Sequence, residues 1–352
     1  MTSMKNIEVR DTNKGGRNTS MDVLRGIAIL CVVFTHLPGI SIRYNLVCWW
    51  IYAFIVNMAV PVFMILMGYC ACQSAEKKQL SFLDLYSFES IWNKIKRYFF
   101  PWLPIIAVEF LAEIIFLKNY NLKTLATFVI SGGSGPGSYY IPILFQFVLL
   151  FPALYIFRKN ILVVSFLLNL FFELAVLFFQ IPQEIYRICF IRYIFLVGCC
   201  MNMYYRSWDH QSSKFVQIAV TLLGVLYIVF FTLFLDYGRT YPCWWSTGMF
   251  CGLYLYFPIY NIIKRDYFKK FTSIPWKVIS NLGVASFHIY LVQMLYFAAW
   301  HLLTLTSIGK MNAAIITFLL AFPVCILTGW GYFGIEKWFY SKFSLFGKKK
   351  SI

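Results

Sequence analysis

"MDVLRGIAILCVVFTH", Met21 to His36, decides the fold and poses a problem. The stretch is apolar enough to be a helix in lipid, yet it carries an acid, a base and an imidazole: Asp22, Arg25 and His36. Arg25 and His36 are eleven residues apart, three helical turns plus about 20°, so they share one face. The helical rise puts about 16 Å between them. Asp22 precedes Arg25 by three residues, the spacing of a pair on one face. Ionisable groups in a membrane are costly and face a protein interior or a wet cavity. Two readings stay open on these residues alone: a functional polar stripe, or a buried Asp–Arg pair with an interfacial His.

The rest of the chain has the same character. Of 352 residues, 60% are hydrophobic and 20% aromatic, and only 13% are charged, against about 25% in a soluble domain. This is the composition of a polytopic membrane protein, all-α, with one membrane domain expected over 20–340. A basic arm (1–19) and a basic tail (341–352) flank it, and both are expected in the cytoplasm. About 20 apolar residues span a bilayer as a helix. Ten segments qualify: 20–39, 50–72, 98–117, 139–157, 161–180, 185–204, 215–235, 242–262, 281–303 and 312–334. No internal repeat and no soluble domain stands out.

The net charge of +17 has a topological reading rather than a nucleic-acid one. Basic clusters lie in the N-terminal arm, after spans two, four, six and eight, and at the C-terminus; the alternate connections hold only Arg43, Lys118, Lys123, Arg239 and Lys310. With ten spans every large cluster falls on one side, as the positive-inside rule requires, and both termini are cytoplasmic. No short apolar stretch ends in a small-residue cleavage site, so the first apolar helix is expected to be a permanent anchor. Cys31, Cys70, Cys72, Cys189, Cys199, Cys200, Cys251 and Cys325 lie in or beside apolar runs, where free Cys acts as a small hydrophobe. Cys48 and Cys243 fall at outward ends, and a bridge between them stays open. No Cys/His set has zinc spacing, so no metal is expected.

Other membrane ionisables are secondary candidates. Glu109 and Glu113 are i,i+4 in span three, Glu173 is in the middle of span five, and Arg187 and Arg192 are in the outer half of span six. A structural Glu–Arg network is the plainer account of them. His288 reads as a packing residue, and His301 sits at an outer helix end. "SGGSGPGSYY", 131–140, lacks the following Lys and the cytoplasmic placement of a phosphate-binding loop. It reads as a linker, or as a flexible loop bordering an external entrance. Trp49–Trp50 and Trp244–Trp245 fit interfacial aromatic belts.

Six segments in order carry a resemblance. "RNTSMDVLRGIAILCVVFTH" resembles the first helix of acyltransferase family 3, the bacterial multi-pass acyltransferases of envelope glycans, with its D-x-x-R and R-x10-H pattern on Asp22, Arg25 and His36. "NKIKRYFFPW" is similar to that family's basic R-x-x-R motif, "SYYIPILFQFVLLFP" to its W-[FY]-L helix, and "RYIFLVGCC", which opens on Arg192, to its R-[FY]-x-x-F-x-x-G helix. "LGVASFHIYLVQ", which holds Tyr290, is similar to G-x-x-S-[YF]-x-I-Y-L-x-H, and "GIEKWFY" to the closing E-[KR] segment. Three positions depart from the pattern: Lys94 stands for the first Arg, Tyr139 for a Trp, and Gln293 for a His. Lys94 keeps a positive charge but not bidentate geometry. Gln293 removes a titratable group.

The resemblance implies an O-acyltransferase of the bacterial inner (plasma) membrane. It would move an acyl group, most often acetyl, from cytoplasmic acyl-CoA to a hydroxyl of a cell-surface polysaccharide or its lipid-linked precursor. Its partners would be acyl-CoA, the glycan acceptor and membrane lipid, and a homo-oligomer stays open. On this reading His36 is the general base, Arg25 and Asp22 act at the donor side, and Lys94, Lys96 and Arg97 meet the CoA phosphates. Arg192, Glu109, Glu113, Glu173 and Tyr290 remain further candidates. A transporter exporting a glycan or small solute would also bury charges, but it would not require R-x10-H together with a cytoplasmic K-x-x-R. A structural subunit of an envelope complex would tolerate loss of His36.

Overall fold

The structure is a computed structural model that describes residues 18–37, 51–52, 54–117, 121–205, 211–234, 253–306 and 310–347. Cys48, Cys243, Cys251, both Trp pairs, the N-terminal arm through residue 17 and the final lysines lie outside these residues, as does the side chain of His301. Fourteen α-helices and no strand occur among the described residues.

In chain order the helices are α1 (Thr19–Thr35), α2 (Ala59–Lys77), α3 (Phe82–Tyr86), α4 (Phe88–Leu117), α5 (Leu122–Ser131), α6 (Tyr140–Ile156) and α7 (Ile161–Phe178). Then follow α8 (Gln183–Ile188), α9 (Ile194–Tyr205), α10 (Gln211–Phe234), α11 (Leu253–Lys264), α12 (Ile274–Val284), α13 (Ser286–Thr306) and α14 (Lys310–Gly347). Each expected apolar segment falls on helix over most of its described residues, with three interruptions. Segment 50–72 turns at Ile55 and passes through a 3-10 turn over Val56–Met58 before α2. Segment 185–204 is split into α8, a 3-10 turn over Phe190–Tyr193, and α9. Segment 281–303 is cut at Ala285, where α12 and α13 meet at 74°. Three helical stretches among the described residues are long and apolar enough to cross a membrane, Val56–Lys77, Phe88–Phe116 and Leu319–Lys342, and the bent pair makes a fourth if it counts as one span. Large apolar side chains such as Phe171, Phe178, Leu327 and Ile335 stand exposed on the outside, as a lipid-facing surface requires. α14 runs past residue 340, so the boundary expected there between membrane domain and tail falls inside a continuous helix.

α1 is the central helix. Asn18 caps it, its side chain accepting from the Met21 N–H at 3.0 Å. Its N-terminal half, through Met21 and Leu24, belongs to a core with Met64 and Leu66 of α2, Phe151 of α6, Val197 and Cys200 of α9, and Phe257 of α11. Its other half, through Ile29 and Val33, belongs to a second core with Trp102 and Ile105 of α4, Ile289 and Met294 of α13, and Cys325 of α14. Cys72, Cys199, Cys200 and Cys325 are buried free thiols, the small-hydrophobe role expected of them.

Two glycines let α1 and α12 touch backbone to backbone. A Cβ on Gly26 would collide with the Ile279 carbonyl, and one on Gly283 with the Asp22 carbonyl. Three hydrogen bonds then pin the start of α1 to the α11–α12 connection. Asn18 donates to the Ile263 carbonyl at 2.9 Å, the Ser20 N–H to Asp266 Oδ1 at 2.9 Å, and the Phe268 N–H to Ser20 Oγ at 2.9 Å. The polar stripe is therefore mounted on a fixed rod.

Candidate active site

Asp22 is buried, and its Oδ1 lies 3.4 Å from Arg25 Nη1. Arg25 Nη2 donates to Cys70 Sγ of α2 at 3.2 Å. The i,i+3 pair expected from the sequence is formed, and it holds a half-buried guanidinium in place. That guanidinium faces a cavity of about 1040 Å³, which also reaches His36. Both ends of the α1 stripe thus open into one space, with the apolar wall of Val32, Val60, Phe63, Met67 and Leu144 between them.

At the Arg25 end the lining comes from α2, α3 and the start of α4: Lys78, Asp84, Glu89, Ser90, Asn93, Lys94 and Arg97. Lys94 and Arg97 are i,i+3 and share a face, and Lys94 Nζ sits 5.6 Å from the Phe151 ring centroid. Lys96 does not line the cavity. Two residues beyond Lys94 it is turned about 200° around the helix, away from this face. Of the three cations grouped in the sequence, Lys94 and Arg97 line the cavity, together with Lys78. Asp84 closes a capping box with Ser81 at the start of α3. The Ser81 hydroxyl and N–H donate to its carboxylate at 2.6 and 2.8 Å and hold it below the ordinary aspartate range.

At the other end His36 caps α1, half-buried, with its ring 6.1 Å from that of Phe297. Facing it is the Gly-rich loop, and this loop is tied down. Trp102 Nε1 donates to the Gly132 carbonyl at 2.8 Å. Glu109 Oε2 accepts from the Ser134 N–H at 2.8 Å and from its hydroxyl at 3.3 Å. Tyr290 donates to the Gly137 carbonyl at 2.8 Å, and Gln293 Nε2 to the Pro136 carbonyl at 3.3 Å. Instead of a loose linker, the segment is a shaped wall held by α4 and α13. Gly137 has φ +88°, and a Cβ there would lie 3.3 Å from His36 Nε2. Glycine at 137 thus serves both the left-handed turn and the close approach.

The remaining candidates separate cleanly. Tyr290 lines the cavity, its ring edge-on to Tyr140 at 5.4 Å. Glu109 is buried and used on the loop, and Glu113 one turn later is half-buried; neither lines the cavity. Arg192 is fully buried outside the lining. Its guanidinium donates to the Tyr193 hydroxyl at 2.6 Å and lies 4.5, 5.2 and 5.4 Å from the ring centroids of Tyr193, Tyr139 and Tyr186. Glu173 accepts from the Tyr186 hydroxyl at 3.0 Å and from Asn169 at 3.5 Å. Tyr186 thus stands between them, its hydroxyl on Glu173 and its ring face toward Arg192. His288 is buried, 2.5 Å from Glu336 Oε2, and packed against Tyr332 and Phe333. Arg187, grouped with Arg192 in the sequence, does line the cavity. Among the described residues no group of three or more His, Cys, Asp or Glu side chains converges as a metal site would.

An apolar helical bundle holding a cavity that is cationic at one end and has an imidazole at the other defines a membrane protein that can bring an anionic molecule within reach of a basic nitrogen. Residues 18–331 match the family model described as an acyltransferase domain, and the chain belongs to that family, acyltransferase family 3. It is a membrane acyltransferase. No curated protein and no solved structure matches the chain.

Proposed function

We propose that the protein transfers an acyl group, most simply acetyl, from cytoplasmic acyl-CoA to a hydroxyl of a cell-surface polysaccharide or its lipid-linked precursor. One observation carries this reading: Arg25, Lys94 and Arg97 line the same cavity as His36. The ten-span topology with both termini inside belongs to the same proposal, because it puts Lys78, Lys94 and Arg97 on the face where CoA arrives and His36 near the opposite face.

The chemistry divides along the cavity. Lys78, Lys94 and Arg97 meet the phosphates and adenylate end of the donor through charge-assisted contacts. The pantetheine arm lies along the apolar wall, and the thioester reaches the His36 end. His36 takes the proton of the acceptor hydroxyl as that oxygen attacks the thioester carbonyl carbon. The tetrahedral intermediate collapses with cleavage of the C–S bond, and the CoA sulfur leaves and regains a proton, for which the imidazolium is the nearest source. Tyr290, fixed by the Gly137 carbonyl, shapes the acceptor side. Arg25, held by Asp22 and Cys70, adds a fixed cation at the donor end.

The test is transfer of labelled acetyl from acetyl-CoA to an envelope glycan fraction by the purified protein in lipid. Transfer that depends on His36 and follows acetyl-CoA concentration supports the reading. Binding of glycan with no consumption of acetyl-CoA overturns it and favours the transporter.

A further inference from the structure

The charged residues lining the cavity are unevenly placed. Arg25, Lys78, Lys94 and Arg97, with the acids Asp84 and Glu89, gather toward the donor mouth. Around His36 the lining is Thr35, Tyr52, Asn57, Gly137, Tyr139 and Tyr290, and the one charged side chain there among the described lining residues is Arg187. The donor's phosphates are met at the other end, about 16 Å away along α1, so they give no reason for a cation here.

The chain fixes Arg187 with some care. It stands in the last turn of α8, which ends at Cys189 in extended backbone. Gln146 of α6 clamps both sides of that break: its Nε2 donates to the Ile188 carbonyl at 2.7 Å and its Oε1 accepts from the Phe190 N–H at 2.9 Å. The guanidinium centre lies 5.5 Å from the Tyr139 ring centroid. An aromatic face supports the cation without using its in-plane donors. With five N–H groups in a rigid fork, arginine can keep a neighbour and still present a pair of donors to a planar or tetrahedral anion. Arg187 and His36 line the same cavity.

We infer that Arg187 is a specificity residue that recognises an anionic group, carboxylate or phosphate, on the acceptor close to the hydroxyl being acylated. The inference rests on the acyl-transfer reading and adds a substrate class to it: an acidic or phosphate-bearing glycan rather than a neutral one. A carboxylate would come from an acidic sugar, and a phosphate from a phosphodiester or a lipid-linked diphosphate. Both meet the same fork.

The experiment uses the full chain in lipid nanodiscs, labelled acetyl-CoA, and an envelope glycan fraction offered in three forms at limiting concentration. One is untreated, one has its carboxyls reduced to alcohols with carbodiimide and borohydride, and one has its phosphodiesters cleaved with cold aqueous hydrogen fluoride. One of the two treatments is expected to lower wild-type transfer about 10- to 100-fold, the range for loss of a charge-assisted contact, and the sensitive arm names the anion. Arg187→Gln should show that same low rate on the untreated fraction, be indifferent to the treatment, and bind acetyl-CoA as the wild type does. Arg187→Lys should fall between, which separates a charge role from a packing role even if the Gln variant is poorly made. Equal wild-type transfer to all three forms overturns the inference and leaves acyl transfer standing. So does an Arg187→Gln protein that loses activity in the same proportion on every form, because that is the behaviour of an oxyanion or structural role. Absence of wild-type transfer to any form, with acetyl-CoA bound, overturns the glycan-acceptor reading itself.

Discussion

Replacing Gly137 by Ala tests the catalytic assignment with a single methyl group. The new Cβ would lie 3.3 Å from His36 Nε2 and 3.6 Å from a ring carbon of Tyr290. A hydroxyl must come within about 2.6–3.2 Å of the nitrogen that takes its proton, so the methyl carbon stands on the approach the acceptor oxygen needs. The backbone is strained as well, since φ is +88° at this position, and an L-residue held there costs about 1–3 kcal/mol. Against that, the loop is tied by Trp102, Glu109, Tyr290 and Gln293, each bond contributing about 1 kcal/mol. The fold should therefore survive while the base is screened. Loss of general-base assistance typically costs 10²–10⁴-fold, and transfer of labelled acetyl to the envelope fraction should fall by that order. Acetyl-CoA binding and protein abundance should stay near wild type, because the donor phosphates are met at the far mouth. Near wild-type transfer by an abundant Gly137→Ala protein would falsify the placement of the acceptor at His36.

Three further outcomes follow from the same geometry. His36→Ala should abolish transfer to the acceptor while sparing acetyl-CoA binding; an abundant, normally active variant sinks the general-base role. Lys94→Gln with Arg97→Gln should weaken acetyl-CoA affinity at least about 10-fold and blunt its salt dependence, whereas Lys96→Gln, turned off the cavity, should do neither; equal effects from all three would return the cluster to topology alone. Single cysteines at positions 78 and 268, in a background without reactive thiols, should be labelled only from the cytoplasm and those at 120 and 239 only from outside, and labelling of 268 from outside would reverse the donor face.

Helical periodicity alone carries α1. The spacing of Asp22, Arg25 and His36 gives the pair, the shared face and its length, because these follow from local geometry. The same reasoning places helix on the apolar segments, since hydrophobicity over 20 residues is a local property too. It fails at Ala285, where the apolar run continues through the bend and no proline marks it. Nearness in sequence also differs from nearness in space at Lys96, which the 100° turn per residue points away from the face that Lys94 and Arg97 share. The clamps on the 131–140 loop are invisible for a different reason. Trp102, Glu109, Tyr290 and Gln293 lie 25 to 157 residues from the loop groups they hold, and only packing brings them to one loop. Arg187 and Arg192 look alike in sequence, yet the break at Cys189 sends one into the cavity wall and the other into an aromatic cage.

A cavity of about 1040 Å³ has room for roughly 35 water molecules at their liquid volume. Any base able to draw a proton from a sugar hydroxyl can draw one from water. If the proposed reaction is the right one, then between the arrival of a thioester and that of a glycan the protein is a hydrolase in waiting, and each misfire would spend one acetyl-CoA for no product. The tied loop restrains this only in part, because it fixes a wall without filling the space. Economy must come from the order of events, with the acceptor expelling water before the thioester reaches His36. In a cell that lacks the acceptor, the same hollow would turn from a workplace into a slow drain on the acetyl-CoA pool.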